Sequence, residues 1–253
     1  MNEMEQETNN FNFVPICGQS EERNREYLAN FSPDKYWKSL VVRNSPIIFD
    51  IGAHRGESVR FFKEIFPDSI VYSFEPDPDN FSELEALVHS CSWGGKCLPI
   101  KMGISEKEGK QLFYRQNISH LGSLIPINMQ SRDSLGYAAK AENKPIEVDI
   151  TTVDAFCNLH SISRIDILKI DVQGHEIGVL TGAIEMLGQT SCCTVEVSFY
   201  DFYEKSTSLL EVEQIMSKAG HKIFDISKIS KNPKNFRTDW VELVYCNGQL
   251  RQG

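Results

Sequence analysis

Apolar and polar positions alternate in blocks along this chain, and the period changes from block to block. Residues 46–51 (PIIFDI) form a short apolar run ending at a glycine, the pattern of a buried strand. Residues 57–66 follow with helical spacing and stop at Pro67. A second strand is predicted at 69–74 (SIVYSF), a helix at 78–89 with Phe81, Leu84, Leu87 and Val88 on one side, and a third strand at 97–102. Residues 110–114 and 146–150 alternate like strands and flank a polar segment of no clear period. Then come a strand at 165–170 (IDILKI), a helix at 175–187, a strand at 192–199 and a helix at 209–219 capped by Gly220. Strands at 221–226 and 240–246, joined by a polar loop, close the pattern. Strands alternating with helices imply right-handed βαβ units and a mostly parallel sheet. The last two strands have no helix between them and imply an antiparallel hairpin at one edge.

The front of the chain differs. Residues 1–20 are rich in Asn, Gln and Glu and read as a flexible leader. Residues 21–45 read as a helical cover whose face is Tyr27, Phe31, Tyr36, Trp37, Leu40 and Val41, broken into two pieces by Pro33. Such a pair covers an edge of the core; the alternative is a lid over a ligand. No composition shift divides the remainder, so 46–253 is taken as one domain.

Composition narrows the class. The chain has 253 residues, 41% of them hydrophobic, enough for a sizeable core. Lys and Arg number 26 against 35 Asp and Glu, a net charge of −9, which argues against nucleic acid or an anionic membrane as partner. The seven cysteines form no C-x-x-C pair, which argues against a structural zinc site or a thioredoxin-like site. The opening MNEMEQETNN is not a secretory signal, and no apolar run approaches the roughly 18 residues that span a bilayer. A reduced, cytoplasmic, soluble protein is expected. Nothing in the sequence fixes its oligomeric state.

In an open α/β sheet the ligand lies beyond the carboxyl ends of the strands. After the first strand this chain reads Asp50-Ile51-Gly52-Ala53-His54-Arg55-Gly56, and Ser58 opens the following helix. After the second it reads Glu75-Pro76-Asp77-Pro78, after the third Gly103-Ile104-Ser105, and after the fourth Asp171-Val172-Gln173-Gly174-His175-Glu176. Gly52 and Gly56 let backbone approach a ligand and open a helix toward an anionic group; alone, each is only a strand-to-helix turn. Glu75, 23 residues beyond Gly52, is placed to accept both hydroxyls of a ribose; alone, it is a loop carboxylate. In this order they point to a nucleoside ligand. The G-x-G-x-x-G fingerprint of NAD folds is replaced by D-x-G-x-x-x-G, a wider loop suited to the amino-acid tail of S-adenosylmethionine. A P-loop and G-x-S-x-G are both absent.

The segments FDIGAHRGESVRFF, SFEPDPDNFSEL, IDILKIDVQGHEIGVLTGA and AGHKIFDI resemble the FkbM family of S-adenosylmethionine-dependent methyltransferases over roughly residues 47–245. The resemblance implies a Rossmann-like, seven-stranded class I methyltransferase sheet, mostly parallel with an antiparallel C-terminal hairpin and helices on both faces. It also implies O-methylation of a hydroxyl on a sugar, glycan or natural product. The family's K-I-D-x-E-G-x-E is matched at Lys169, Asp171, Gly174 and Glu176, with Gln173 for the usual Glu and His54 where Asn is frequent.

The cofactor residues expected are Asp50, Gly52, Ala53, His54, Gly56, Ser58, Glu75, Pro76, Ile104, Ser105 and Asp171. A sugar hydroxyl is a poor nucleophile, so a base or a metal is expected too. Candidates are Asp171, His175 and Glu196, with Lys169 as organiser beside Asp50 or Glu196. Asp171 and Glu196 are also of the type that holds a divalent ion, although no metal site is assigned. Each has a plainer reading: Asp171 as a cofactor contact, His175 and Glu176 as the start of a helix. Acceptor contacts are expected from 117–132 (His120, Ser123, Asn128, Arg132), from Tyr200, Phe202 and Tyr203, and from the loop carrying Lys228, Lys231, Lys234 and Arg237. The rivals to a small-molecule or glycan methyltransferase are a nicotinamide-dependent oxidoreductase and a non-catalytic binding module.

Overall fold

The computed structural model describes residues 21–93, 96–133, 136–205 and 207–248. The leader expected over 1–20, with Cys17, lies outside the described residues. The first three strands are β1 (Ile47–Ile51), β2 (Ile70–Phe74) and β3 (Cys97–Ile100). Next come β4 (Gly103–Ile104), β5 (Gly109–Arg115), β6 (Lys144–Thr151), β7 (Ile165–Ile170) and β8 (Thr190–Ser198). The last are β9 (His221–Lys231) and β10 (Thr238–Asn247). Seven of them form one sheet in the order β3-β2-β1-β7-β8-β10-β9. The strands from β3 to β8 pair in parallel, while β10 runs antiparallel to both β8 and β9. The expected seven-stranded, mostly parallel sheet is therefore present. Its C-terminal hairpin occupies one edge, as expected, with the strands in an order the sequence does not specify. The last strand inserts between β8 and β9, and β9 takes the edge.

Both faces of the sheet are covered. The helices are α1 (Glu21–Asn30), α2 (Pro33–Leu40), α3 (Glu57–Ile65), α4 (Pro78–Ser90), α5 (Val153–Leu159), α6 (Glu176–Thr181), α7 (Ile184–Leu187) and α8 (Leu209–Lys218). Side chains alternate across each strand, so neighbouring residues enter different cores. Ile48, Ile167, Cys192 and Val244 pack with Trp37 and Leu40 of α2, Val59 and Phe62 of α3 and Leu84 of α4. Phe49, Phe74, Leu168 and Val195 face the other way, against Phe156 of α5, Leu180 of α6 and Met216 of α8. Of the N-terminal pair only α2 is seated: Trp37 and Leu40 are buried, and α1 buries no residue.

Two expected elements change form. The strands near 110 and 146 do not join the main sheet; with Gly103–Ile104 they make a three-stranded sheet, β4-β6-β5, over their own core of Phe113, Leu124, Val148 and Ile150. The helix expected over 175–187 breaks in two at Gly182. A Cβ there would sit 2.1 Å from the Ser105 carbonyl oxygen, so the helix touches that loop through bare backbone. Asp154 of α5 then caps α7 by accepting from the Glu185 and Met186 amides at 3.0 and 2.9 Å.

One polar pair lies inside the sheet. Asp50 of β1 and Lys169 of β7 are partners in register, and Lys169 Nζ is 3.1 Å from the Asp50 carboxylate. Burial opposes the Lys169 charge, but Asp50 and Asp171 outweigh it and hold the ammonium above its ordinary range. Breaking such a pair leaves an unpartnered buried charge. Lys169→Met and Asp50→Asn are each expected to cost about 3 kcal/mol in urea unfolding, and the double variant less than their sum. Additive losses would show that the pair is not coupled.

Candidate active site

A cavity of about 600 Å³ opens at the carboxyl ends of β1, β2, β7 and β8. Its geometry starts at Gly52. The residue has φ +80°, and a Cβ would lie 1.9 Å from the Asp171 carbonyl oxygen. The tips of β1 and β7 thus touch backbone to backbone, which only glycine permits. The chain then passes His54, itself left-handed at φ +48°, into α3.

Glu75 sits at the tip of β2, 4% exposed. Its carboxylate accepts from the His54 amide at 2.9 Å and the Asp77 amide at 2.8 Å. Burial nevertheless raises its pKa to about 7. The His54 ring shares a 2.8 Å hydrogen bond with the Ser119 hydroxyl, so a short 3-10 turn, Ser119–Leu121, closes this end of the cavity.

At the tip of β7, Gln173 adopts φ +58°. Its side-chain amide donates to Asp171 at 2.8 Å and to Glu196 of β8 at 3.5 Å. The Tyr203 hydroxyl donates to its carbonyl oxygen at 2.9 Å. Burial, followed by the Lys169 ammonium and the Gln173 amide, sets Asp171, and the latter two hold it below the carboxylate range. Glu196 is pushed well above that range, first by burial and then by Asp171, Glu176 and Glu242. Two neighbouring carboxylates are thereby driven apart, the arrangement that separates acid and base roles.

Of the residues expected at the cofactor, Gly52, Ala53, His54, Ser58, Glu75, Pro76, Ile104 and Asp171 line the cavity. Asp50, Gly56 and Ser105 do not. Asp50 is sealed beneath the floor against Lys169, and Gly56 begins α3 against Leu84 and Leu87. Ser105 is buried, its hydroxyl 2.9 Å from His175 Nε2. Of the catalytic candidates, Lys169, Asp171 and Glu196 face the cavity and His175 lies behind it, held by Ser105 and by Glu106 at 3.4 Å. The divalent-ion reading of Asp171 and Glu196 does not fit: an N–H of Gln173 points at both carboxylates, the reverse of what a shared cation needs. Among the described residues no group of three or more His, Cys, Asp or Glu is suited to a metal.

Beyond the carboxylates the wall turns aromatic. Tyr200, Phe202 and Tyr203 all line it, as do His120 and Lys228. Asn128, Arg132, Lys231, Lys234 and Arg237 do not, and the Ser123 hydroxyl is turned to the Val172 carbonyl. Asp133, Tyr137, Ser230, Asp239 and Trp240 were not anticipated. Trp240 stands opposite Ser198 in the β8–β10 register, so an antiparallel β10 beside β8 delivers its first residues to the tip of β8. Of these five, placement of the last strand beside β8 accounts for Asp239 and Trp240.

A sheet with this strand order, a glycine hinge after β1 and a buried carboxylate after β2 define a class I methyltransferase fold. Residues 50–223 match the family described as the Methyltransferase FkbM domain, and the chain belongs to that family. The 2-O-methyltransferase NoeI of Sinorhizobium fredii is 24% identical over 189 residues, 70% of this chain and 74% of that protein. The hexuronic acid methyltransferase AglP of Haloferax volcanii is 24% identical over 60% of this chain and 55% of its own length. The crystal structure of an FkbM methyltransferase from Methylobacillus flagellatus KT superposes with a TM-score of 0.53 at 16% identity, covering 88% of this chain and 50% of that one. The chain thus spans about half the length of these last two proteins. The family implies S-adenosylmethionine as methyl donor. Among the described residues no helix is long and apolar enough to cross a membrane.

The contact at Gly52 is testable. Gly52→Ala is expected to lower stability by about 2–3 kcal/mol, for overpacking as well as backbone strain. Gly136 shares the left-handed backbone (φ +73°) with nothing within 4 Å of a Cβ, so Gly136→Ala is expected to cost about 1 kcal/mol or less. Equal losses in urea titration would refute the close approach.

Proposed function

We propose that this protein transfers a methyl group from S-adenosylmethionine to a hydroxyl of a sugar or glycan. The observation that carries the reading is one cavity with two unlike halves. A glycine hinge and a buried carboxylate stand at the tips of β1 and β2, and a carboxylate-and-aromatic wall stands at the tips of β7, β8 and β10. Relatives named for 2-O-methylation and for a hexuronic acid support a sugar as acceptor. Residues 46–253 serve as the catalytic unit, with α2 as an attached cover.

The fit to the donor rests on the chain's own groups. The bare backbone at Gly52 leaves room for a ligand above the β1–β7 junction, and each Glu75 oxygen keeps a lone pair for a ribose hydroxyl. Pro76 and Ile104 flank that carboxylate with apolar surface for an adenine. When bound, S-adenosylmethionine supplies an electrophilic methyl on a sulfonium, to be displaced in line. Glu196 accepts the proton of the acceptor hydroxyl: its raised pKa brings it nearer the working range of a general base. Asp171 stays ionised beside Lys169, and Gln173 holds the two carboxylates in place. Tyr203 in turn fixes Gln173.

Two outcomes are expected. Glu196→Gln should lower kcat by about 100-fold or more while leaving donor affinity within about twofold; unchanged kcat excludes Glu196 as the base. For Glu75 the sign follows from its raised pKa. Ribose hydroxyls favour the ionised carboxylate, so affinity is present above pH 7 and lost as pH falls through it. By calorimetry, S-adenosylhomocysteine should bind up to about tenfold more weakly at pH 6 than at pH 8. Glu75→Gln should flatten that slope and cost about 1 kcal/mol or more. A flat profile in the unmodified protein removes Glu75 from the ribose.

A further inference from the structure

The acceptor half of the cavity has a sign. Among the described residues two ammonium groups reach the cavity, Lys169 and Lys228, and each is already matched. Lys169 Nζ lies 3.1 Å from Asp50 and Lys228 Nζ lies 3.0 Å from Glu242. Beside them the Arg237 guanidinium stacks on Tyr200, 4.3 Å from the ring centroid, and donates twice to one Asp239 oxygen at 3.1 and 2.9 Å. Glu196 apart, which is pushed toward its neutral form, carboxylates still outnumber cations among the described residues: Asp133, Asp171 and Asp239 line the wall with Asp50 and Glu242 behind it, against Lys169, Lys228 and Arg237. The Tyr200 hydroxyl is pushed up to about 12 by burial and then by Asp239 and Asp133, against the Arg237 guanidinium.

Resting on the sugar reading above, we infer that the acceptor is a sugar ring without a carboxylate or phosphate, one that offers hydroxyls, amides or an amine to this wall. Hydroxyl and amine hydrogens are what carboxylates accept, and the Tyr200 and Trp240 rings present surface to the apolar face of a pyranose. A uronate would bring a like charge into a half-enclosed site whose cations have partners. To meet it, Lys228 must be shared with Glu242, whose side chain is only 12% exposed, so the ammonium offers a uronate only part of its charge. Arg237 is shared in the same way with Asp239, at 15% exposure.

The test is methyl transfer from S-adenosylmethionine, tritiated in its methyl group, to matched pairs of methyl glycosides. Glucoside is set against glucuronide and galactoside against galacturonide, together with rhamnoside, fucoside, N-acetylglucosaminide and glucosaminide. Label is expected on non-acidic members, with kcat/KM above that of any acidic partner by about tenfold or more. Asp239→Asn, which takes from Arg237 its carboxylate, is expected to narrow that ratio by about threefold or more. Equal or faster transfer to uronides overturns the inference and leaves the sugar reading standing. A ratio unmoved by Asp239→Asn overturns its assignment to this charge balance. Label on no glycoside overturns the sugar reading and this inference with it.

Discussion

The backbone contact between Gly52 and the Asp171 carbonyl sets the spacing of everything above the sheet. It brings the β1 and β7 tips together at the point where strand order reverses, with β2 and β3 on one side and β8 on the other. From it the chain departs in two directions: through His54 toward the amide that holds Glu75, and through Gln173 toward Glu196. Two non-glycine residues in left-handed conformations, His54 and Gln173, stand immediately past the contact. Backbone strain of this kind persists only where surrounding bonds over-determine it. Here those bonds are the His54 amide to Glu75 and the Gln173 side chain to two carboxylates and a tyrosine.

Electrostatics divide along the same line. On the β2 side the buried Glu75 carboxylate is fed by two amides. On the β7–β8 side carboxylates crowd one another, and the resulting field separates their proton affinities. Lys169 belongs to neither half. It spans the floor from Asp50 to Asp171 and ties the interior of the sheet to the cavity.

Much of this was legible in the sequence, because the main sheet is written in short apolar runs that end in glycine or an acidic residue. The tips of β1, β2, β7 and β8 were found because each follows such a run directly. Three kinds of information were not. Asp50 is polar and adjoins the glycine hinge, so it read as a loop ligand; side-chain alternation instead turns it into the sheet. The break at Gly182 depends on a carbonyl 77 residues away in sequence, which no local period encodes. α5 has no signature in the hydrophobic pattern: at seven residues it is too short for a helical period, and its main local sign is Thr152 accepting from the Ala155 amide. Asp133 and Tyr137 lie in the stretch without a period, where tertiary contacts alone decide position.

The insertion of β10 between β8 and β9 carries a consequence for the order in which the molecule is made. As a chain grows from its N-terminus, β8 and β9 emerge before the strand that joins them, so both wait with unpaired edges. Asp239 and Trp240 arrive on that late strand, as does Glu242, the partner of Lys228. The acceptor wall is therefore completed last: Asp171, Glu196 and Tyr200 precede β10, and Asp239 and Trp240 arrive with it. Until β10 arrives, those two waiting edges are the places a chaperone would have to guard.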